Sequence, residues 1–362
     1  MGNNKLFKSQ QRTGWLMAAP ATLLIFFFLV LPFLMAFGFS LTNQRIFSPN
    51  PTEFVGLQNF KNMLSVHFLT VEAEKDETGA FKLDNNGNYQ FPKTRKFTRN
   101  NPDYPHLNKT REWMKFDVGK TKKFYVLARD LIFMKALTIT ILFVLITAPL
   151  QAGIALLLAM LINQPLRGIN IYRTIYFMPV VISMVVVSVL WKFIYDGENG
   201  LLNALLHFFS VGYFEPVDWL GQTDTALGAI IAMSIWQGVG FHMIIWLAGL
   251  QTIPVDHYEV ARLEGANKWQ TFSYVTWPGL RNTAILVMVI ITMQAFTLFP
   301  QVAVMTRGGP LDSTQSLVFQ MVERGYGKQD IAGGSTISVF LFLFVLSISL
   351  FQRYITREKI HG

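Results

Sequence analysis

Six stretches of this chain are apolar for long enough to cross a hydrocarbon core of about 30 Å, which takes roughly 20 residues of helix. They are Trp15–Leu41, Leu131–Ile162, Ile175–Ile194, Ala226–Leu250, Ala284–Met305 and Thr336–Tyr354. Hydrocarbon offers a peptide group no hydrogen-bond partner, so a segment that stays in it must close its own backbone bonds. The expected fold is an all-α integral membrane protein with six transmembrane helices, and an even number of spans leaves both termini on one side. Composition agrees, since 51% of residues are hydrophobic, 32 are Phe and only 15% are charged.

The basic residues near the span ends orient the chain. Residues 1–14, ahead of the first helix over 15–41, carry Lys5, Lys8 and Arg12 and no acid. Arg167 and Arg173 follow the second span, and Arg353, Arg357 and Lys359 sit at the C-terminal end. These ends are expected in the cytoplasm, as basic residues in short loops are retained there. Phe193 to Ala226 has no Lys or Arg but holds Asp196, Glu198, Glu215, Asp218 and Asp224, and is expected outside. The first apolar run follows Lys and Arg as a secretory signal does, yet it is far longer than the roughly 7–15 residues of a signal core, and reads as an uncleaved helix. The absence of cysteine fits a chain with a large part in an oxidising compartment.

Between the first two spans the composition changes abruptly. Residues 66–128 are charged and Asn-rich, and Phe81-Lys-Leu-Asp-Asn-Asn-Gly-Asn-Tyr-Gln-Phe91 reads as a hairpin with Asn86-Gly87 in a tight primed turn. A small outward subdomain containing β-structure is expected. Its Lys93, Arg95, Lys96, Arg99, Lys120, Lys122 and Lys123 do not oppose the orientation, because long translocated loops escape the charge rule. They form no ordered nucleic-acid motif, and no nucleic-acid partner is expected.

The polar segment Tyr258 to Pro278, between the fourth and fifth spans, reads as two short helices with a glycine joint. Asp256 is placed to cap the first, with Glu259 reaching back in a capping box. Gly265 stops it, Asn267 starts a second helix, and Pro278 ends that one. Trp269, Phe272 and Val275 fall near one apolar side. A paired-helix knob of this kind is a docking surface.

This segment resembles the EAA coupling loop of ATP-binding-cassette importer permeases. Glu259-Val260-Ala261, Gly265 and Val275-Thr-Trp-Pro278 stand in the motif's places, with Val260 replacing an alanine at a packed position. Phe54-Val-Gly-Leu-Gln-Asn-Phe60, Leu247-Ala-Gly-Leu-Gln-Thr-Ile-Pro254 and Thr306-Arg-Gly-Gly-Pro-Leu-Asp-Ser-Thr314 are similar to further elements of carbohydrate permeases of the maltose type. The resemblance implies the type I ABC importer permease fold, with a permease core over 131–354 and a cytoplasmic coupling loop over 254–280. It implies a chain in the bacterial inner membrane, surrounded by lipid and working with two ATP-binding-cassette ATPase subunits, a second homologous permease and a periplasmic sugar-binding protein. Glu259 would anchor the loop in an ATPase cleft, Gly265 would permit the bend, and Ala261 and Ala266 would keep the contact face small. Glycerol phosphate and polyamine permeases are the related alternatives. In maltose-type relatives an extra periplasmic domain enters where residues 66–128 do and helps hold the binding protein; a decoration without partner is the other reading.

Catalytic motifs are missing. Gly325-Tyr-Gly-Lys-Gln329 lacks the first glycine and the hydroxyl residue of a phosphate loop, no His-Glu-x-x-His or Gly-x-Ser-x-Gly occurs, and the six histidines lack ligand spacing. No enzyme activity and no cofactor are expected in this chain, with ATP and Mg bound by the partner ATPases. Polar residues inside spans are costly and mark candidate pathways. Trp236, Gln237, Gly240 and Met243 on the fourth span, and Gln294, Phe296, Thr297 and Phe299 on the fifth, combine amides and a hydroxyl with aromatic rings, as a sugar site requires. The competing reading has Gln, Thr and His tying helices together, with His242 as a packing donor. An ion-coupled carrier is disfavoured because His242 is the only ionisable group well inside the fourth span and the centres of the fifth and sixth have none.

Overall fold

The computed structural model describes residues 3–76, 79–83, 87–164 and 168–356. Arg167, Asn86, Arg357 and Lys359 lie outside them. The chain is mostly helical and divides into two compact units, one of Met1–Met63 with Met321–Leu343, the other of Leu64–Gln320 with Phe344–Gly362.

In the first unit the helix is already formed at Asn3, inside the expected tail. It runs Asn3–Ile25, widens to π geometry over Phe26–Val30 and resumes over Leu31–Ser40. The widened turn sits just ahead of Pro32, whose missing N–H and bulky ring do not fit a regular α-turn. Asn59 closes the helix end by donating to the carbonyls of Ser40 at 2.9 Å and Thr42 at 2.7 Å. This is the asparagine of the Gly-Leu-Gln-Asn-Phe element, and the bonds satisfy acceptors that a helix C-terminus leaves open. The last helix, Ile331–Thr356, starts earlier than expected, and the Phe342 ring on it lies tilted against Phe33 with centroids 4.5 Å apart.

The second unit holds the inserted subdomain and four spans. The subdomain is a three-stranded antiparallel sheet of β1 (Val66–Glu72), β2 (Arg111–Val118) and β3 (Lys122–Ala128), in the order β1-β3-β2. Leu69, Val71, Leu107, Tyr125 and Leu127 form its core, covered by Phe97 and Tyr104. Of the expected 81–91 hairpin the described residues show an isolated bridge, Leu83 to Tyr89, outside this sheet, and the Asn86 side of its turn lies outside them. The strands that build the sheet carry the alternating apolar residues, whereas the Asn-rich segment has too few to bury a face.

His67 on β1 faces His106, with ring centroids 5.8 Å apart, and its Nε2 lies 3.0 Å from the Ser65 hydroxyl. Burial, then the charges of His106 and Arg129, hold its pKa below the ordinary imidazole range. The unfolded chain therefore takes up this proton at a higher pH than the folded one. Stability is full above about pH 6.5 and declines as the pH falls from there toward the folded-state value. Amide exchange in β1 should be faster at about pH 5.5 than at about pH 7.5 after correction for intrinsic rates, and His67→Gln should remove most of the difference. Equal protection of the wild type at both values would refute the assignment.

Of the four spans, Leu131–Ile162 and Ala226–Gln251 are unbroken. They pack through a stripe of small residues, Ala148, Ala152, Ala155 and Ala159, against Val239, Met243, Trp246 and Leu250. Small side chains let the two backbones approach closely, and Trp246 Nε1 reaches the Ala152 carbonyl at 3.1 Å.

The other two spans depart from expectation. The third is two helices, Ile169–Val181 and Met184–Ile194, bent by 97°. Pro179 removes a helix donor, Ile182 turns to extended geometry and Ser183 starts the next helix. The fifth runs Arg281–Phe296, breaks at Thr297-Leu298-Phe299 and resumes over Pro300–Met305. Proline at a helix start is favoured because its missing N–H is not needed there.

Candidate functional site

Irregular backbone at membrane depth is tolerated only where it is buried in protein or borders a cavity. Both breaks border one. A cavity of about 420 Å³ is flanked by Val180 and Met184 on either side of the first break, and by Thr297 and Pro300 at the second. Phe143 and Gln151 of the second span and Gln237 and Phe241 of the fourth complete much of its wall.

The candidate pathway residues divide around this space. Gln237, Gln294 and Thr297 line it. The Thr297 hydroxyl donates to the Gln294 carbonyl at 2.7 Å, using one of the acceptors freed at the break. The freed Leu298 carbonyl accepts from the Ser316 hydroxyl.

The other five lie outside the lining. Trp236 is 43% exposed and packs edge-on to Trp191 at 5.4 Å. Met243 is fully buried in the span core. Phe296 is buried with its ring 5.7 Å from Phe344, and Phe299 lies 6.4 Å from Phe319. Gly240 is a helix contact: a Cβ there would fall 1.9 Å from the Tyr176 carbonyl oxygen.

His242 is fully buried, with Nδ1 2.8 Å from the Gly238 carbonyl and 3.0 Å from the Gln151 amide, a tie between the fourth and second spans. Gln151 was not legible as a site residue, because its single amide in a 32-residue apolar helix has no local partner.

The second candidate surface is the loop after the fourth span. Its first helix is Val255–Leu263, and it ends in a Schellman reversal: Gly265 N–H donates to Arg262 at 3.1 Å and Ala266 N–H to Ala261 at 2.9 Å. Gly265 takes φ +74°, the left-handed conformation that this motif needs.

Three expectations are corrected here. The Val255–Leu263 helix is capped by Pro254 with no side-chain bond, so Asp256 lies in its first turn and forms no capping box with Glu259. The capping box belongs to the second helix, where Asn267 Oδ1 accepts from Gln270 N–H at 2.9 Å and Gln270 Oε1 from Asn267 N–H at 2.8 Å. Pro278 does not end that helix, because the chain widens to π geometry over Phe272–Thr276 and continues as Trp277–Gly279 straight into the fifth span. The wide turn removes the clash that proline causes in an α-turn.

The knob is tied at its base and bare at its tip. Tyr258 hydroxyl meets Thr276 Oγ1 at 3.2 Å, joining the two helices, while Tyr258 and Val275 pack against the span core. Val260, expected at a packed position, is 56% exposed, and Leu263 and Trp269 are more so at 88% and 73%. Glu259 and Pro278 are exposed, and Ala261 and Ala266 half-buried. The tip thus presents apolar side chains to its surroundings on a base held to the span core.

A third element, the Thr306–Thr314 loop, follows the short helix beyond the second break. Thr306 and Thr314 pair through their hydroxyls at 2.7 Å, Thr314 also donates to the Gly309 carbonyl at 2.6 Å, and Lys135 pairs with Asp312 at 3.3 Å. The Thr306–Thr314 loop is thereby pinned to the second span.

Residues 151–361 match the family described as binding-protein-dependent transport system inner membrane component. The probable ABC transporter permease YurN of Bacillus subtilis is 33% identical over 247 residues, which are 67% of this chain and 84% of YurN. The trehalose/maltose transport system permease MalF of Thermococcus litoralis is 26% identical over 353 residues, 97% of this chain and 96% of MalF. A crystal structure of a bacterial ABC transporter involved in the import of the acidic polysaccharide alginate shares the fold, with a TM-score of 0.67 at 18% identity, covering 99% of this chain and 100% of that one.

Proposed function

Because the chain belongs to the binding-protein-dependent transport system inner membrane components, and is thus a permease subunit of an ABC importer, we propose that its cargo is a sugar or oligosaccharide. A periplasmic binding protein delivers it, and it crosses through the cavity between the broken spans. The cavity carries this reading: Gln237, Gln294 and Thr297 offer directional bonds to hydroxyls, and Phe143 and Phe241 offer apolar faces to the C–H side of a sugar ring.

The remaining parts follow from the family's working cycle. A second homologous permease completes the pathway, and two ATPase subunits bind ATP and Mg and carry out hydrolysis. The Val255–Leu263 and Lys268–Thr271 helices dock on an ATPase with Glu259, Val260, Ala261, Gly265 and Ala266 at the contact. Since Tyr258 and Val275 fix this knob to the span core, ATPase closure moves it and the spans as one rigid body, opening the cavity outward, and hydrolysis resets it. Both termini and the knob lie in the cytoplasm, and the β1–β3 subdomain lies outside, where it helps seat the binding protein.

Gln237→Leu and Gln294→Leu test the pathway in proteoliposomes holding the assembled importer and its binding protein. A sugar hydroxyl that loses a buried amide partner costs about 1–3 kcal/mol, so each variant should slow uptake roughly tenfold while retaining both ATPase subunits. Normal uptake by both variants would refute the assignment, and loss of assembly would make these amides helix ties instead.

A further inference from the structure

Four residues bordering the cavity hold polar atoms with no partner in the protein. They are Thr147 on the second span, Ser234 and His242 on the fourth, and Gln301 on the short helix after the second break. The atoms are Thr147 Oγ1, Ser234 Oγ, His242 Nε2 and Gln301 Oε1, and the residues are only 2%, 7%, 0% and 8% exposed. Among the described residues nine buried side-chain polar atoms lack a partner, so nearly half of them gather around this one cavity. Unpaired buried polar groups are costly, and a cluster of them calls for a ligand or water to complete it.

We infer that Thr147, Ser234, His242 and Gln301 form a second recognition wall of the pathway, which takes an uncharged, hydroxyl-rich ligand and rejects acidic saccharides. This rests on the reading of the cavity as a sugar pathway, and it assigns residues on the second span and deeper in the fourth that the Gln237 and Gln294 pair does not include.

The donor and acceptor set decides the class. Gln301 Oε1 can only accept, the two hydroxyls can do either, and His242 contributes one nitrogen, because its Nδ1 already has the Gly238 carbonyl and the Gln151 amide within hydrogen-bond distance, of which it bonds one according to its tautomer. A ligand hydroxyl both donates and accepts, so a polyol can complete all four. A carboxylate or phosphate only accepts, leaving Gln301 Oε1 unpaired, and would need a cation at this depth. The cavity lining includes no Lys, Arg, Asp or Glu, so an ion in this wall would be desolvated without compensation from this chain. A polyamine would lack its carboxylate in the same way.

The chain has no cysteine, which makes a direct test available. The complete importer, with partner permease, ATPases and binding protein, is first assayed in proteoliposomes for uptake of maltose, trehalose, xylobiose and digalacturonate. Ser234→Cys and Thr147→Cys are then labelled with methyl methanethiosulfonate, with and without the transported sugar. At least one neutral saccharide should be imported, digalacturonate should not, and that sugar should slow labelling at both positions. The near-isosteric Thr147→Val and Ser234→Ala, which need no reactive thiol, should each slow its uptake by about tenfold.

Import of digalacturonate as fast as the neutral saccharides would overturn the inference. So would unchanged labelling in the presence of a transported sugar together with normal uptake by the Val and Ala variants. Either result leaves a sugar permease standing. If the wild-type importer moved none of the four saccharides, the sugar reading itself would fall, and the inference with it.

Discussion

Gly240→Ala is expected to cripple folding and transport, although it adds a single methyl group. The added carbon would lie 1.9 Å from the Tyr176 carbonyl oxygen, 2.7 Å from its carbon and 3.1 Å from Phe177 Cα. All three are main-chain atoms of the third span, so no side chain can swing aside and the two helices must separate. Overpacking of this kind costs about 1–3 kcal/mol where side chains can give, and a backbone clash belongs at or above the top of that range. The measurement is thermal stability and yield of the purified importer. Gly228→Ala is the control: it sits on the same Ala226–Gln251 helix with no atom within 4 Å of its would-be Cβ, and should be neutral or slightly stabilising. If both variants behaved alike, the close crossing of the third and fourth spans would be wrong.

Gly265→Val should uncouple the permease from its ATPases while leaving the spans folded. Open space surrounds Gly265, since nothing lies within 4 Å of the point a Cβ would occupy, so the effect comes from the backbone alone. At φ +74° an L-residue costs roughly 1–2 kcal/mol, and a β-branched one is disfavoured further. Valine therefore favours breaking the reversal that Arg262 and Ala261 hold, and the second helix of the knob leaves its place. Co-purification of the ATPase subunits should fall by about tenfold, the equivalent of about 1.4 kcal/mol. Gly265→Asn, which tolerates the left-handed region, should keep most of the coupling. Full retention and transport by the valine variant would remove the loop from the docking interface.

Much of this architecture is carried by local sequence. Leu131–Ile162 and Ala226–Gln251 appear almost where their apolar runs begin and end, because span length is a property of the run itself. Asn267 and Gly265 mark a helix start and a helix end by their own backbone preferences, and both act so in the fold. The break in the third span had a signal, Pro179 followed by Ser183, but a hydropathy count passes over it because Ile182 and Val181 are as apolar as the helix around them. The same count fuses Arg281–Phe296 with Pro300–Met305.

Which polar residues share a site is a different matter. Gln237, Gln294 and Thr297 were visible as amides and a hydroxyl in apolar surroundings, and so were Trp236, Gly240, Met243, Phe296 and Phe299 beside them; only the first three line the cavity. Residues one or two apart on a helix point in different directions, and what each direction meets depends on the neighbouring helix. Gln151 and His242 are 91 residues apart and touch only because the alanine stripe brings the second span against the fourth. The apolar runs, the inserted subdomain and the glycine-jointed knob can be read along the chain, since they rest on length, composition and backbone preference. Where the spans break, and which residues with unpaired polar atoms come to border a common cavity, emerges only in the folded molecule, because it depends on packing between segments distant in the chain.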